Sequence, residues 1–90
     1  MREETRKTLD RRLSSAAGHL KGIQRMVEDD KYCIDVIKQV QAVQAALDKV
    51  KTIILSEHLD TCVSAAIRGD NADERERMLA EVTSVFEIGR

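Results

Sequence analysis

The sequence predicts an all-α fold: a three-helix protomer with a long central helix, pairing into an antiparallel dimer and then a tetramer. Three observations carry the helical part. Proline is absent and glycine occurs only four times in 90 residues, while Ala, Leu, Glu, Lys and Arg are dense. Residues 32–67 contain neither Gly nor Pro. Within them Val36, Val40, Val43, Leu47, Val50 and Ile54 recur at the alternating three-and-four spacing of a helix packed along one seam.

The first helix is expected from residue 3 to about residue 28. Leu9, Leu13, Ala16, Ala17, Leu20, Ile23 and Val27 fall on its apolar stripe, and Arg6, Arg11, Arg12, Lys21 and Arg25 mostly off it. Gly18 and Gly22, four apart, mark either close packing or local weakness. His19 between them has no partner at metal-ligand spacing and reads as a packing or surface residue. Glu28, Asp29 and Asp30 form an acidic break, and Asp29 or Asp30 is the expected N-cap of the long helix.

That helix is expected over residues 32–67, and about 35 residues at about 1.5 Å each span about 50 Å. A chain this small cannot cover it alone. Arg68-Gly69-Asp70-Asn71 then forms a turn, with Gly69 past the helix end and Asp70 or Asn71 capping the next helix. This third helix is expected from about Ala72 to Phe86, striped by Met78, Leu79, Val82, Val85 and Phe86.

One Tyr, one Phe and no Trp leave the core to Leu, Ile, Val and Ala. Residues 1–90 read as a single domain that needs partner copies. No run is apolar enough to span a membrane, and MREETRKTLDRR lacks the apolar stretch of a signal peptide, so a cytoplasmic protein is expected. There, two cysteines are better read as ligands or redox thiols than as a structural disulfide. Charge is uneven: residues 1–51 carry eleven Lys and Arg against eight Asp and Glu, residues 52–90 four against eight. The basic half suits a nucleic-acid backbone or a plain solvated surface.

His58 and Cys62 stand four apart and share a helical face. Cys33 falls in the first turn of the long helix, where the positive end of the helix dipole favours an anion. It precedes His58 by 25 residues, roughly 37 Å along a continuous helix, so the three cannot meet within one chain. Two antiparallel copies crossing near residue 46, where Ala45 and Ala46 let backbones approach, would bring Cys33 of one beside His58 and Cys62 of the other. Two thiolates and an imidazole suit Cu(I) best, ahead of Zn(II) and Ni(II). No phosphate loop or catalytic grouping is readable, and a ligand-gated switch fits better than an enzyme.

Leu13, Gly18-His19-Leu20-Lys21-Gly22-Ile23, Asp30-Lys31-Tyr32-Cys33, Gln39-Val40-Gln41-Ala42-Val43-Gln44 and His58-Leu59-Asp60-Thr61-Cys62 together resemble the CsoR/RcnR/FrmR family of bacterial repressors. The resemblance runs to about residue 86. It implies three-helix protomers in antiparallel dimers and tetramers that bind operator DNA without a helix-turn-helix and release it on binding an inducer. It further implies Cu(I) ligands at Cys33, His58 and Cys62, and outer partners at Tyr32 and Glu81, the latter if the preceding loop is longer here. The resemblance also implies DNA contacts at Arg12 and Lys49; Lys38, also basic on the second helix, is added from charge. The nickel and cobalt sensors carry an N-terminal His that this chain lacks. The formaldehyde sensors usually lack the second Cys, and the persulfide sensors lack the His. Where the family commonly has a basic residue before Gly-His-Leu, this chain has Ala17. The alternatives are another inducer of the same family, a thiol-redox protein using Cys33 and Cys62, or a structural helical oligomer.

Overall fold

The computed structural model describes residues 1–88. They form α1 (Glu3–Glu28), α2 (Cys33–His58), a π turn (Leu59–Val63), α3 (Ser64–Arg68) and α4 (Ala72–Ile88), with no strand among the described residues. Residues 33–68 never leave helical backbone, so the long helix expected over 32–67 is present with one widened turn inside it. The chain divides into two units, one ending at Leu55 and the other beginning at Ser56.

In the first unit, α1 ends as its sequence dictates, though not with the residue roles expected. Asp29 and Asp30 do not cap α2; they close α1. Asp30 takes a left-handed conformation, φ 52°, which short polar side chains tolerate better than most. Its N–H donates to the Val27 carbonyl at 3.2 Å, and the Lys31 N–H reaches back to Met26 at 3.0 Å. This is the Schellman closure, with Asp where Gly is usual. The first turn of α2 instead hangs from the Tyr32 carbonyl, which accepts from the Asp35 and Val36 N–H groups.

The buried residues of this unit keep a strict heptad. Leu9, Ala16 and Ile23 are buried on α1, Val43 and Val50 on α2, and Val36 is half-buried in step with them. The six-residue seam read on α2 therefore splits in two. Val36, Val43 and Val50 turn inward, whereas Val40, Leu47 and Ile54, one helical step of about 40° away, remain 40–42% exposed. Leu13, Leu20 and Val27 form an equivalent open line on α1. His19 Nε2–H donates to the Gln39 Oε1 at 2.6 Å, tying the middle of α1 to α2. The packing role read for it is thus a polar one.

In the second unit the π turn, α3 and α4 pack together. Val63 and Ala66 are buried, and Met78 and Val82 half-buried against the solvent. Leu79, Val85 and Phe86, expected on the same stripe, are exposed. Gly69 caps α3 in an extended conformation, φ −77° and ψ 172°, and its carbonyl accepts from Arg75 Nη1 at 2.9 Å. Asn71 is the cap of α4: its Oδ1 accepts from the Glu74 N–H at 3.1 Å. Asp73 and Glu74 in the first turn complement the dipole there. No helix among the described residues is long and apolar enough to cross a membrane.

Candidate metal centre

Each expected ligand has a distinct local setting. Cys33 is the first residue of α2 and is exposed, its thiol free. Counting by sevens from it gives Val40, Leu47 and Ile54, the open apolar line of α2. The thiol therefore heads the face that α2 leaves uncovered. His58 is the last residue of α2 and is half-buried. Cys62 lies within the π turn, exposed and free.

The π turn, which the residue spacing does not predict, begins just after His58 and contains Cys62. At its end the Ser64 N–H donates to the Leu59 carbonyl, a five-residue step in place of the α-helical four. Two hydroxyls hold the widened turn. Ser64 Oγ donates to the same Leu59 carbonyl at 2.7 Å, and Thr61 Oγ1 to the Glu57 carbonyl at 2.8 Å. Such back-bonding by Ser and Thr competes with the regular helical ladder. Thr61 Oγ1 also lies 3.6 Å from Cys62 Sγ, close enough for thiol and hydroxyl to share a hydrogen bond. The spacing of four thus spans an irregular turn, not a plain α-helical one.

Glu57 is a second feature that residue spacing could have disclosed. It is only 6% exposed, the one buried charged residue among those described. In sequence it follows Val36, Val43 and Val50 at the same interval of seven, and it directly precedes His58.

Tyr32 precedes Cys33 and is 67% exposed. Glu81 is exposed on α4; its side chain makes no hydrogen bond among the described residues, while its backbone carbonyl takes the Ser84 hydroxyl at 3.0 Å. Among the described residues, no three His, Cys, Asp or Glu side chains gather into a metal site within the single chain. Of the basic residues singled out, Lys38 and Lys49 are exposed on α2, whereas Arg12 is half-buried and its Nε is enclosed without a hydrogen-bond partner.

Comparison with known proteins gives this geometry a setting. Residues 5–87 match the family described as metal-sensitive transcriptional repressor. The copper-sensing transcriptional repressor CsoR of Mycobacterium ulcerans is 54% identical over 56 residues, 62% of this chain and 48% of that protein. The chain thus spans about half the length of the mycobacterial CsoR relatives it matches. The copper-sensing repressor CsoR of Bacillus subtilis is 40% identical over 75 residues, covering 83% of this chain and 71% of the other. Among solved structures, the copper-sensing repressor CsoR with Cu(I) from Geobacillus thermodenitrificans superposes with a TM-score of 0.84 at 37% identity, covering 97% of this chain and 88% of that one.

Proposed function

Because the chain belongs to the family of metal-sensitive transcriptional repressors, matched over residues 5–87, we propose that it is a Cu(I)-responsive repressor. It holds operator DNA when metal-free and releases it when Cu(I) binds Cys33 of one chain together with His58 and Cys62 of its mate. The supporting observation is the donor set. Two free, exposed thiols and one imidazole are soft ligands that suit Cu(I), and the similar proteins named above are copper sensors. The whole of residues 1–90 acts as one sensing and DNA-binding domain.

Assembly is part of the reading. Cys33 opens α2 and His58 closes it, which favours ligands drawn from two chains. Cys33 also heads the Val40, Leu47 and Ile54 line, and open apolar lines in heptad step are what a second copy of the same helix covers. An antiparallel dimer on that line, and a tetramer using Leu13, Leu20 and Val27 of α1, account for both. In the site, Tyr32 and Glu81 orient the ligands, and Arg12, Lys38 and Lys49 meet phosphates of the operator.

Release is then a matter of linkage. Cu(I) supplies a bond network fixing the relative position of two α2 helices, and its preference for one arrangement weakens DNA binding by the same factor. The test is an anaerobic Cu(I) titration with operator duplex present. One tight Cu(I) per protomer is expected, with DNA released as sites fill and release abolished in His58→Ala. Release by oxidant or persulfide that survives His58→Ala would favour the thiol-redox reading instead.

A further inference from the structure

Lys7, Arg11, Ser14, Gly18, Lys21 and Arg25 follow one another at steps of four, three, four, three and four along α1. At about 100° per residue, that spacing makes a single straight row, and all six residues are exposed. The row lies about half a turn round the helix from Ala16, the centre of the buried Leu9, Ala16 and Ile23 line. Its four cations sit in two pairs at the ends. The middle is a saddle of two small residues. Between Lys7 and Arg25 the row contains no acid, and none of the four cations is in an ion pair among the described residues.

Gly18 is the odd member. A Cβ built there meets nothing within 4 Å, so no contact inside the protomer requires glycine. Yet glycine in a helix interior is less stable than alanine. Beside it, Arg25 reaches back over Gly22, its Nη2 being 3.8 Å from where a Cβ would stand. Ser14 and Gly18 thus keep the middle of the row low between the two cation pairs.

We propose that this row is a seat for the phosphodiester backbone of double-stranded DNA, separate from the contacts assigned to Arg12, Lys38 and Lys49. The inference rests on the repressor reading and extends it to a new surface. Charge complementarity names the occupant. Arg11 and Lys21 are ten residues apart, about 15 Å along the axis, and flank a gap where a phosphate ridge can approach the helix closely. Contacts of this kind are independent of base sequence and set register on the duplex. The proposed tetramer contact through Leu13, Leu20 and Val27 would leave the row open, because that line lies well over a quarter turn from it round α1.

The test uses the full chain and a fluorescent 30-base-pair duplex of mixed sequence, read by anisotropy over a salt series. In Arg11→Gln/Lys21→Gln, affinity should fall at least about tenfold at moderate salt, and the log–log salt slope should drop by about 2 per seat engaged. Gly18→Met keeps every cation and improves helix propensity, yet should weaken binding several-fold by filling the saddle; Gly18→Ala should change it far less. Anaerobic Cu(I) uptake should be unchanged in all three. Wild-type binding with unaltered affinity and slope in the double variant overturns the seat and leaves the repressor reading standing. So does loss confined to vesicles of anionic phospholipid. An inert Gly18→Met overturns the saddle as the point of close approach, and a wild-type chain that binds no duplex sinks both readings.

Discussion

Arg12 is half-buried, with its Nε enclosed and without a hydrogen-bond partner. An enclosed N–H left in that state costs stability, and the proposed phosphate contact would engage the outer nitrogens of the same side chain. Arg12→Ala is expected to lower DNA affinity and to reduce the salt slope by about 1 for each phosphate that the side chain neutralises, while leaving the melting temperature and Cu(I) uptake near wild type. A large fall in melting temperature with DNA affinity intact would make Arg12 a packing residue instead. Residue type and spacing picked out Cys33, His58 and Cys62, because soft donors are rare in this composition and their positions are readable without coordinates. Glu57 and Thr61 were less legible. Their roles depend on burial and on which carbonyl a hydroxyl finds, and neither is visible in a residue name.

Among the elements, the three helical spans were readable nearly to the residue, because heptad-spaced apolar positions and the scarcity of breakers specify where helices run. Their joints were not. Asp29 and Asp30 are good N-cap residues by type, but the left-handed conformation at Asp30 and the Lys31-to-Met26 bond assign them to the end of α1. Side chains with both habits leave the choice to the backbone. Replacing Asp30 with Gly relieves a conformation that costs an L-residue up to about 1 kcal/mol. Asp30→Gly should therefore raise the thermal midpoint by a few degrees, and Asp30→Val should lower it, both read by calorimetry. No change in either would mean that this closure contributes nothing to stability. The π turn was equally opaque, since Thr61 and Ser64 look like ordinary surface positions until their hydroxyls are seen to bond Glu57 and Leu59.

For the whole molecule, the expectation of partner copies came from a helix too long and too apolar for its own chain. The uncovered lines at Val40, Leu47 and Ile54 and at Leu13, Leu20 and Val27 are the physical form of that excess. Which line pairs with which could not be read, because the six apolar positions of α2 look equivalent until burial separates them. Sharing of the site between chains can be tested by mixing Cys33→Ala with His58→Ala/Cys62→Ala. Neither variant alone should bind Cu(I) tightly, and the heterodimer, confirmed by sedimentation, should regain one tight site. Failure to regain it would refute the intersubunit arrangement. The same open lines bear on the chain's life before assembly. A newly made copy without a mate presents leucine, isoleucine and valine to the quality-control proteases that recognise such surface. If the proposed dimer is obligate, its survival then depends on meeting another copy first, since stability is in that case inseparable from concentration. Turnover should accordingly slow as expression rises, so that the cell's stock of the protein responds more than proportionally to its own rate of synthesis.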